Sequence, residues 1–385
     1  MKIAIVHDWL ETYAGGERVL EQMIALYPSA DLFSLVDFVA PKDRHFLQGK
    51  TPKTSFIQWL PSARKYFRHY LMLMPWAVET LDVREYDLIL SSSHCVAKGL
   101  RVLPHQLHVC YIHTPVRYAW DLREEYLAET GNNKGVKGWL IRFFLERLRR
   151  WDKRVSGRVQ HYIANSAFVA KRVKDFYGRE AEVVYPPVAV DDFPLFKGKR
   201  GGYYLATSRQ VPYKKIHQIA EAFKQMPERQ LMIVGNGPEH GRIAEIAKGC
   251  ANIKLVTKAP FAELKGYMQK ARALVFNAKE DFGIMPVEAM ACGTPVIAYG
   301  QGGATESIVG IGRKSGKMAP TGVFYPAQNP QEIIKAMRLF EKHEKEITSQ
   351  ACRARAEQFS VMIFRDKYRE EVEKQIDAFL LQKNQ

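Results

Sequence analysis

Two glutamates eight positions apart, Glu280 and Glu288, lie in the run Val275-Phe276-Asn277-Ala278-Lys279-Glu280-Asp281-Phe282-Gly283-Ile284-Met285-Pro286-Val287-Glu288. The pattern reads as a strand, a loop holding Glu280, and a helix that opens around Gly283 to Pro286 and is closed by Gly293 and Pro295. Glu280 precedes the helix N-terminus while Glu288 rides on the helix, so the two address different parts of one ligand and do not share a proton. Gly283 has no Cβ and lets the backbone come close to a phosphate.

Upstream, Ser208-Arg209-Gln210-Val211-Pro212-Tyr213-Lys214-Lys215 spans the end of a strand, a short loop and a helix expected to begin near Pro212 to Lys215. Free backbone N–H groups, the positive end of a helix dipole and two cationic side chains at such a junction suit a diphosphate. Taken alone, Arg209 and Lys214 read more readily as solvated surface charges, and the motif is weak. His113 closes the apolar strand of Tyr111-Ile112-His113-Thr114-Pro115, a position that serves a hydrogen-bonded structural histidine as readily as a site residue. Gly235-Asn236-Gly237-Pro238 opens like a dinucleotide fingerprint, but Gly241 comes one position late, and the stretch reads as a strand-to-helix turn.

With these residues in hand, the chain resembles the retaining glycosyltransferases of family four, whose GT-B fold sets two Rossmann-like α/β domains with parallel sheets facing a cleft. The likeness extends over nearly the whole sequence. It implies that Glu280 contacts the hydroxyls of the transferred sugar, that Glu288 accepts hydrogen bonds from the nucleotide ribose, and that Arg209 and Lys214 neutralise the departing diphosphate. Asp281, Phe282, Gly283 and Ile284 join the donor site by the same likeness. Gly15-Gly16, after the first strand, resembles the family's glycine loop, although it reads equally as the first turn of a helix, and His113 matches the histidine near the donor sugar, so that Glu280 and His113 are the expected catalytic pair. No Asp-x-Asp triplet occurs, so no metal and no cofactor beyond the donor itself is expected, with side chains and a helix dipole doing the work of a cation. The resemblance implies a front-face displacement in which a donor phosphate oxygen takes the acceptor's proton.

Tyr111-Ile112-His113-Thr114-Pro115-Val116-Arg117-Tyr118-Ala119-Trp120-Asp121, together with Glu280-Asp281-Phe282-Gly283-Ile284, resembles bacterial mannosyltransferases of O-antigen and other surface polysaccharides. That implies GDP-mannose as donor and a lipid-linked glycan as acceptor. A fold shared by many transferases does not specify the sugar, so a UDP-hexose stands as the alternative donor. A GT-B sugar-nucleotide 2-epimerase is the rival activity; it calls for additional acidic residues serving as acid and base, whereas the first domain offers His113 and a glycine loop.

The elements that must position these residues alternate between short apolar runs and helical patterns, as a parallel sheet with crossover helices requires. Strands are expected at Lys2–Val6, Leu88–Leu90, Val109–Ile112, His161–Ala164 and Val183–Val184, with a helix at Glu17–Leu26. A second series follows at Tyr203–Ala206, Leu231–Val234, Ile253–Val256, Ala273–Phe276 and Val296–Ala298. The organisation expected is an acceptor domain over residues 1–190, a linker over 191–202 and a donor domain over 203–361, with a charged helix Met362–Leu381 returning to pack on the first domain.

A chain of 385 residues, 46% hydrophobic, is long enough for two cores. Its five cysteines show no paired spacing, His7 and Asp8 interrupt the first apolar run too early for a secretory segment, and no run is long enough to span a bilayer. The net charge of +16 is concentrated between Lys134 and Lys174, where twelve Lys or Arg face only Glu146 and Asp152. Trp139, Leu140, Ile141, Phe143, Phe144, Leu145, Leu148 and Trp151 interleave with them, giving a helix with one apolar and one basic side. No nucleic-acid-binding module accompanies this charge, so nucleic acid is not an expected partner. Basic and aromatic residues interleave again over residues 62–76. A cytoplasmic protein resting on the anionic inner face of the membrane is expected; the alternative is a solvated helix whose apolar side packs on the core.

Overall fold

The computed structural model describes residues 1–121, 135–312 and 318–383. The chain divides into two compact units, Met1–Pro187 with Met362–Gln385, and Val188–Val361. Lys134, the first residue of the basic block, lies outside the described residues.

The first unit is built on a seven-stranded parallel sheet of β1 (Ile3–His7), β2 (Asp31–Ser34), β3 (Lys53–Thr54), β4 (Leu88–Ser93), β5 (Leu107–Ile112), β6 (His161–Ala164) and β7 (Glu182–Val183), in the order β3-β2-β1-β4-β5-β6-β7. The second carries a six-stranded parallel sheet of β8 (Tyr203–Thr207), β9 (Gln230–Val234), β10 (Ile253–Val256), β11 (Ala273–Phe276), β12 (Val296–Tyr299) and β13 (Gly322–Tyr325), in the order β10-β9-β8-β11-β12-β13. This is the GT-B architecture in its two sheets. Central strands such as Leu88–Ser93 and Leu107–Ile112 are buried throughout, as helices on both faces of a parallel sheet demand. β2, β3 and β13 carry no long apolar run and were not legible as strands.

In each sheet the chain winds outward in both directions from its first strand, so the order reverses between β1 and β4 and between β8 and β11. The loops leaving the carboxyl ends of those strands diverge there and open a crevice. Every candidate residue lies on, or one strand from, these loops.

Residues 191–202, expected as a linker, pack into the second unit: Phe193 is buried, and Arg200 donates to the carbonyls of Gln269 and Ala271 and to Thr294 Oγ1. The chain passes from one unit to the other at Pro187–Val188. The last helix runs Val361–Lys383 and sends Phe364, Tyr368 and Val372 into the core of the first unit with Ile5, Leu90 and Tyr111. Arg365 Nε donates to Gln22 Oε1 at 2.7 Å, and His161 Nε2 lies 2.9 Å from Glu371 Oε1.

The basic helix runs Gly135–Val155 and divides its apolar residues into two sets. Leu145, Leu148, Trp151 and Val155 are buried in the core, whereas Trp139 and Phe143 are 66% and 47% exposed. The core-facing reading therefore holds for the C-terminal half of this helix, while the N-terminal half leaves its aromatic side chains exposed.

Candidate active site

In the second unit, β11 delivers Asn277 and the loop to Glu280, while β8 delivers Arg209 and Lys214. The Lys214 ammonium sits directly on the Glu280 carboxylate, both side chains being largely shielded. The junction differs from the expected helix start: Pro212–Lys214 forms a 3-10 turn, Lys215 takes the left-handed conformation, and the helix begins at Ile216. Lys214 thus stands on a turn ahead of the helix and reaches Glu280 on the neighbouring loop, while Arg209 is exposed.

Asn277 locks the two loops together. Its amide nitrogen donates to the Lys215 carbonyl at 3.1 Å and to Gln218 Oε1 at 2.9 Å, and its Oδ1 accepts from the Tyr325 hydroxyl at 2.9 Å. Lys215 Nζ in turn donates to Gln328 Oε1 at 2.8 Å. The Glu280 loop is braced from behind by Gly302-Gly303 after β12, where Gly303 N–H donates to the Glu280 carbonyl at 2.8 Å. A Cβ on Gly303 would lie 2.2 Å from the Asp281 carbonyl oxygen, so no other residue fits.

Asp281 and Phe282 are buried behind this loop, and Gly283, with φ +85°, turns the chain into the helix Ile284–Ala291. Glu288 lies on that helix with its side chain nearly closed off from solvent. Gly235 and Gly237 serve backbone contact: a Cβ on Gly235 would lie 2.1 Å from the Ser208 carbonyl oxygen.

In the first unit, His113 at the end of β5 belongs to a polar cluster at the β1/β4 switch point. Ser92 Oγ lies 2.8 Å from His113 Nε2 and 3.0 Å from His7 Nδ1, and His7 Nε2 faces Glu17 Oε1 at 3.6 Å. Gly15 and Gly16 form the first turn of the helix Gly15–Leu26, whose entry is fixed by Glu17 Oε2 accepting the Ala14 N–H at 3.0 Å. A Cβ on Gly16 would stand 3.5 Å from His7 and 3.9 Å from His113, so this turn lies against the histidines.

Beside it, the fully buried Asp8 accepts backbone N–H bonds from His94 and Cys95 on one oxygen and from Val96 and Ala97 on the other, at 2.5–2.9 Å, with His94 Nδ1 at 3.2 Å. Burial works to raise the Asp8 pKa, but His94, His7 and these N–H groups outweigh it and hold the carboxyl below its ordinary value. For Glu17 burial is likewise outweighed, by His7 first. His113 is held well below the ordinary imidazole value by burial and then by His94 and His7, so it stays neutral.

A depressed carboxyl contributes stability that is complete above the unfolded pKa and is lost as the pH falls through the folded value. Asp8→Asn is expected to lower stability near neutral pH by about 1.5–3 kcal/mol, because it places an amide against four N–H donors. It should also flatten the acid limb of the stability curve. An acid-unfolding profile parallel to that of the native chain would refute this.

Two family models match: Glycosyltransferase Family 4 over residues 14–192 and Glycosyl transferases group 1 over residues 190–359. The chain is a member of glycosyltransferase family 4. It is 31% identical over 150 residues to the O-antigen chain mannosyltransferase RfbU of Salmonella typhimurium, covering 36% of this chain and 42% of that protein. It is 26% identical over 218 residues to the D-inositol 3-phosphate glycosyltransferase of Kineococcus radiotolerans, covering 49% and 50%. The matched stretch thus spans about half the length of these curated relatives or less. The crystal structure of Anabaena Alr3699/HepE in complex with UDP superposes with a TM-score of 0.68 at 17% identity, over 97% of this chain and 100% of that one, a likeness of fold.

Proposed function

We propose that this family 4 protein is a retaining hexosyltransferase that moves mannose from GDP-mannose onto a lipid-linked glycan at an anionic membrane surface. The observation that carries the reading is the Lys214–Glu280 pair at the switch point of the second sheet, a cation and a carboxylate held together where β8 and β11 part. Lys214 and Arg209 take the diphosphate, whose charge grows as the anomeric C–O bond breaks, and Glu280 faces the sugar. Glu288, deeper on its helix, takes the ribose hydroxyls. A donor phosphate oxygen receives the proton of the attacking hydroxyl, which leaves every charge accounted for without a protein nucleophile. The likeness to RfbU supports mannose; the UDP held by the Anabaena protein supports a UDP-hexose as the second reading.

Incubation with GDP-mannose, UDP-glucose and UDP-GlcNAc, each with and without a glycolipid acceptor, tests it. Mannose transfer that requires the acceptor is expected. Transfer from a UDP-sugar alone would move the donor assignment, and acceptor-independent conversion of UDP-GlcNAc to its 2-epimer would overturn the transferase reading.

The membrane assignment rests on two patches of the first unit. Trp139 stacks on Phe143 with centroids 5.9 Å apart, near exposed Arg147 and Arg150. Trp59 is 83% and Trp76 61% exposed, near exposed Arg64 and Lys65. Each basic side chain near anionic lipid contributes about 1 kcal/mol. Replacing Trp139 and Phe143 with Ser and Arg147 and Arg150 with Glu is therefore expected to weaken sedimentation with phosphatidylglycerol vesicles on the order of tenfold or more. Unchanged sedimentation would remove the membrane from the proposal.

A further inference from the structure

The geometry points to Glu17 as a positioning residue that, through His7 and Ser92, fixes His113 as a hydrogen-bond acceptor toward a sugar hydroxyl. The inference rests on the transferase reading for its ligand, but not for its wiring.

The wiring follows from counting protons. An ionised carboxylate only accepts, a neutral imidazole has one N–H and one lone pair, and a serine hydroxyl has a single proton to give. Glu17 Oε2 takes the Ala14 N–H, and Oε1 faces His7 Nε2 at 3.6 Å, an electrostatic approach longer than a hydrogen bond. In the form of His7 that carries a single ring proton, a bare lone pair turned toward that carboxylate would be repelled, so the proton sits on Nε2. His7 Nδ1 then accepts from Ser92 Oγ at 3.0 Å, leaving Ser92 only its lone pair for His113 Nε2 at 2.8 Å. His113 must carry its proton on Nε2, and its Nδ1 is left bare.

The surroundings reinforce this order. His7 and Ser92 are fully buried, away from bulk solvent, and His113 is only half-buried. Polar groups packed nearby include Asp8, which accepts four backbone N–H bonds and faces His94 Nδ1 at 3.2 Å, Asn165, whose amide donates to the His113 carbonyl at 3.0 Å, and Tyr111, whose hydroxyl donates away to the Val184 carbonyl at 2.9 Å. Burial, His94 and His7 keep His113 neutral. A neutral acceptor at this place requires a partner that donates, which a sugar hydroxyl does and a fluorine or an ether oxygen does not.

Glu17→Gln provides the test, because its amide oxygen can keep the Ala14 cap while its NH₂ turns to His7. His7 Nε2 must then accept, the hydroxyl of Ser92 turns round, and His113 is protonated on Nδ1 instead. Nitrogen-15 NMR of the ligand-free protein at a pH above the histidine range reads the tautomer directly. The Nε2–H form is expected natively, the Nδ1–H form in Glu17→Gln, and a mixture in Ser92→Ala, which cuts the chain should Glu17→Gln fold poorly. A native Nδ1–H form, or a tautomer that neither variant changes, would overturn the inference. In donor binding, GDP-mannose analogues each bearing one fluorine for a hydroxyl should include a member rejected about tenfold or more by the native protein and regained by Glu17→Gln; identical rejection profiles would remove the ligand-facing role. Failure to bind any sugar nucleotide would count against the function proposed above, while the tautomer measurement would still decide the wiring.

Discussion

Glu280→Gln is expected to bind the sugar nucleotide at least as well as the native chain and to turn it over on the order of 10²–10³ times more slowly. The first half of this expectation comes from the pairing of Glu280 with Lys214. In the free protein the ammonium is partly neutralised by the carboxylate, and a diphosphate must compete for it. A neutral glutamine of the same size removes the carboxylate charge that competes with the phosphates for Lys214, so the donor Kd should hold or fall. The second half comes from the charge that develops at the anomeric carbon, which a preorganised carboxylate stabilises and an amide does not. Glu288→Ala supplies the contrast: ribose hydroxyls change little during the reaction, so that variant should raise the donor KM more than it lowers kcat. Calorimetry and steady-state rates on both variants check the pair. Loss of donor binding in Glu280→Gln with normal binding but no turnover in Glu288→Ala would exchange the two roles.

The local layout of the candidate residues in the second unit was legible because they lie close in sequence and obey local rules. Glu280, Gly283 and Glu288 fall within one strand–loop–helix passage, where spacing alone separates loop from helix. What holds them was not legible. Asn277 looks like any residue at a strand end until the fold brings Lys215 and Tyr325 against it, and Gly302-Gly303 braces the loop from the far side of another strand. The first unit shows the same limit more sharply. His7, Asp8, Glu17, Ser92, His94 and His113 are spread over more than a hundred positions of sequence, and of these only His113 stands out as a candidate site residue. They meet because β4 pairs beside β1 and β5 beside β4, an order set by crossover connections and not by local pattern. A signal was present in principle, since polar residues directly after β1 and at the end of β4 interrupt otherwise apolar strands. The amphipathic helix is ambiguous for another reason: the periodicity that predicts a membrane face also predicts a core face, and only burial separates Leu145 and Leu148 from Trp139 and Phe143.

The same helix carries the largest expected effect on stability. Asp152, one of only two acidic residues in the basic block, is fully buried and pairs with the equally buried Lys98 at 2.6 Å. Its other oxygen accepts from Trp120 Nε1 at 2.8 Å and from the Tyr177 hydroxyl at 2.6 Å, and Lys98 also donates to the Cys95 carbonyl at 2.8 Å. One carboxylate thus joins the turn after β4, the segment after β5, the basic helix and the helix Ala167–Tyr177. Burial works to lower the Lys98 pKa, but Asp152 outweighs it and keeps the ammonium charged. A raised lysine contributes stability that is present below its unfolded value and is lost only as the pH rises through the folded one, so the pair should act unchanged across neutral pH. Asp152→Ala leaves an ammonium, an indole N–H and a phenol without their acceptor, and removing one partner of such a pair costs about 3–5 kcal/mol. Replacing both residues, as in Lys98→Met with Asp152→Leu, should recover much of that loss, because the desolvation of both charges disappears with them. All six tryptophans lie in the first unit, at positions 9, 59, 76, 120, 139 and 151, so their fluorescence during urea unfolding reports on that unit alone. A midpoint for Asp152→Ala close to that of the native chain, or a double variant no better than the single one, would show that the buried pair does not hold these four elements together.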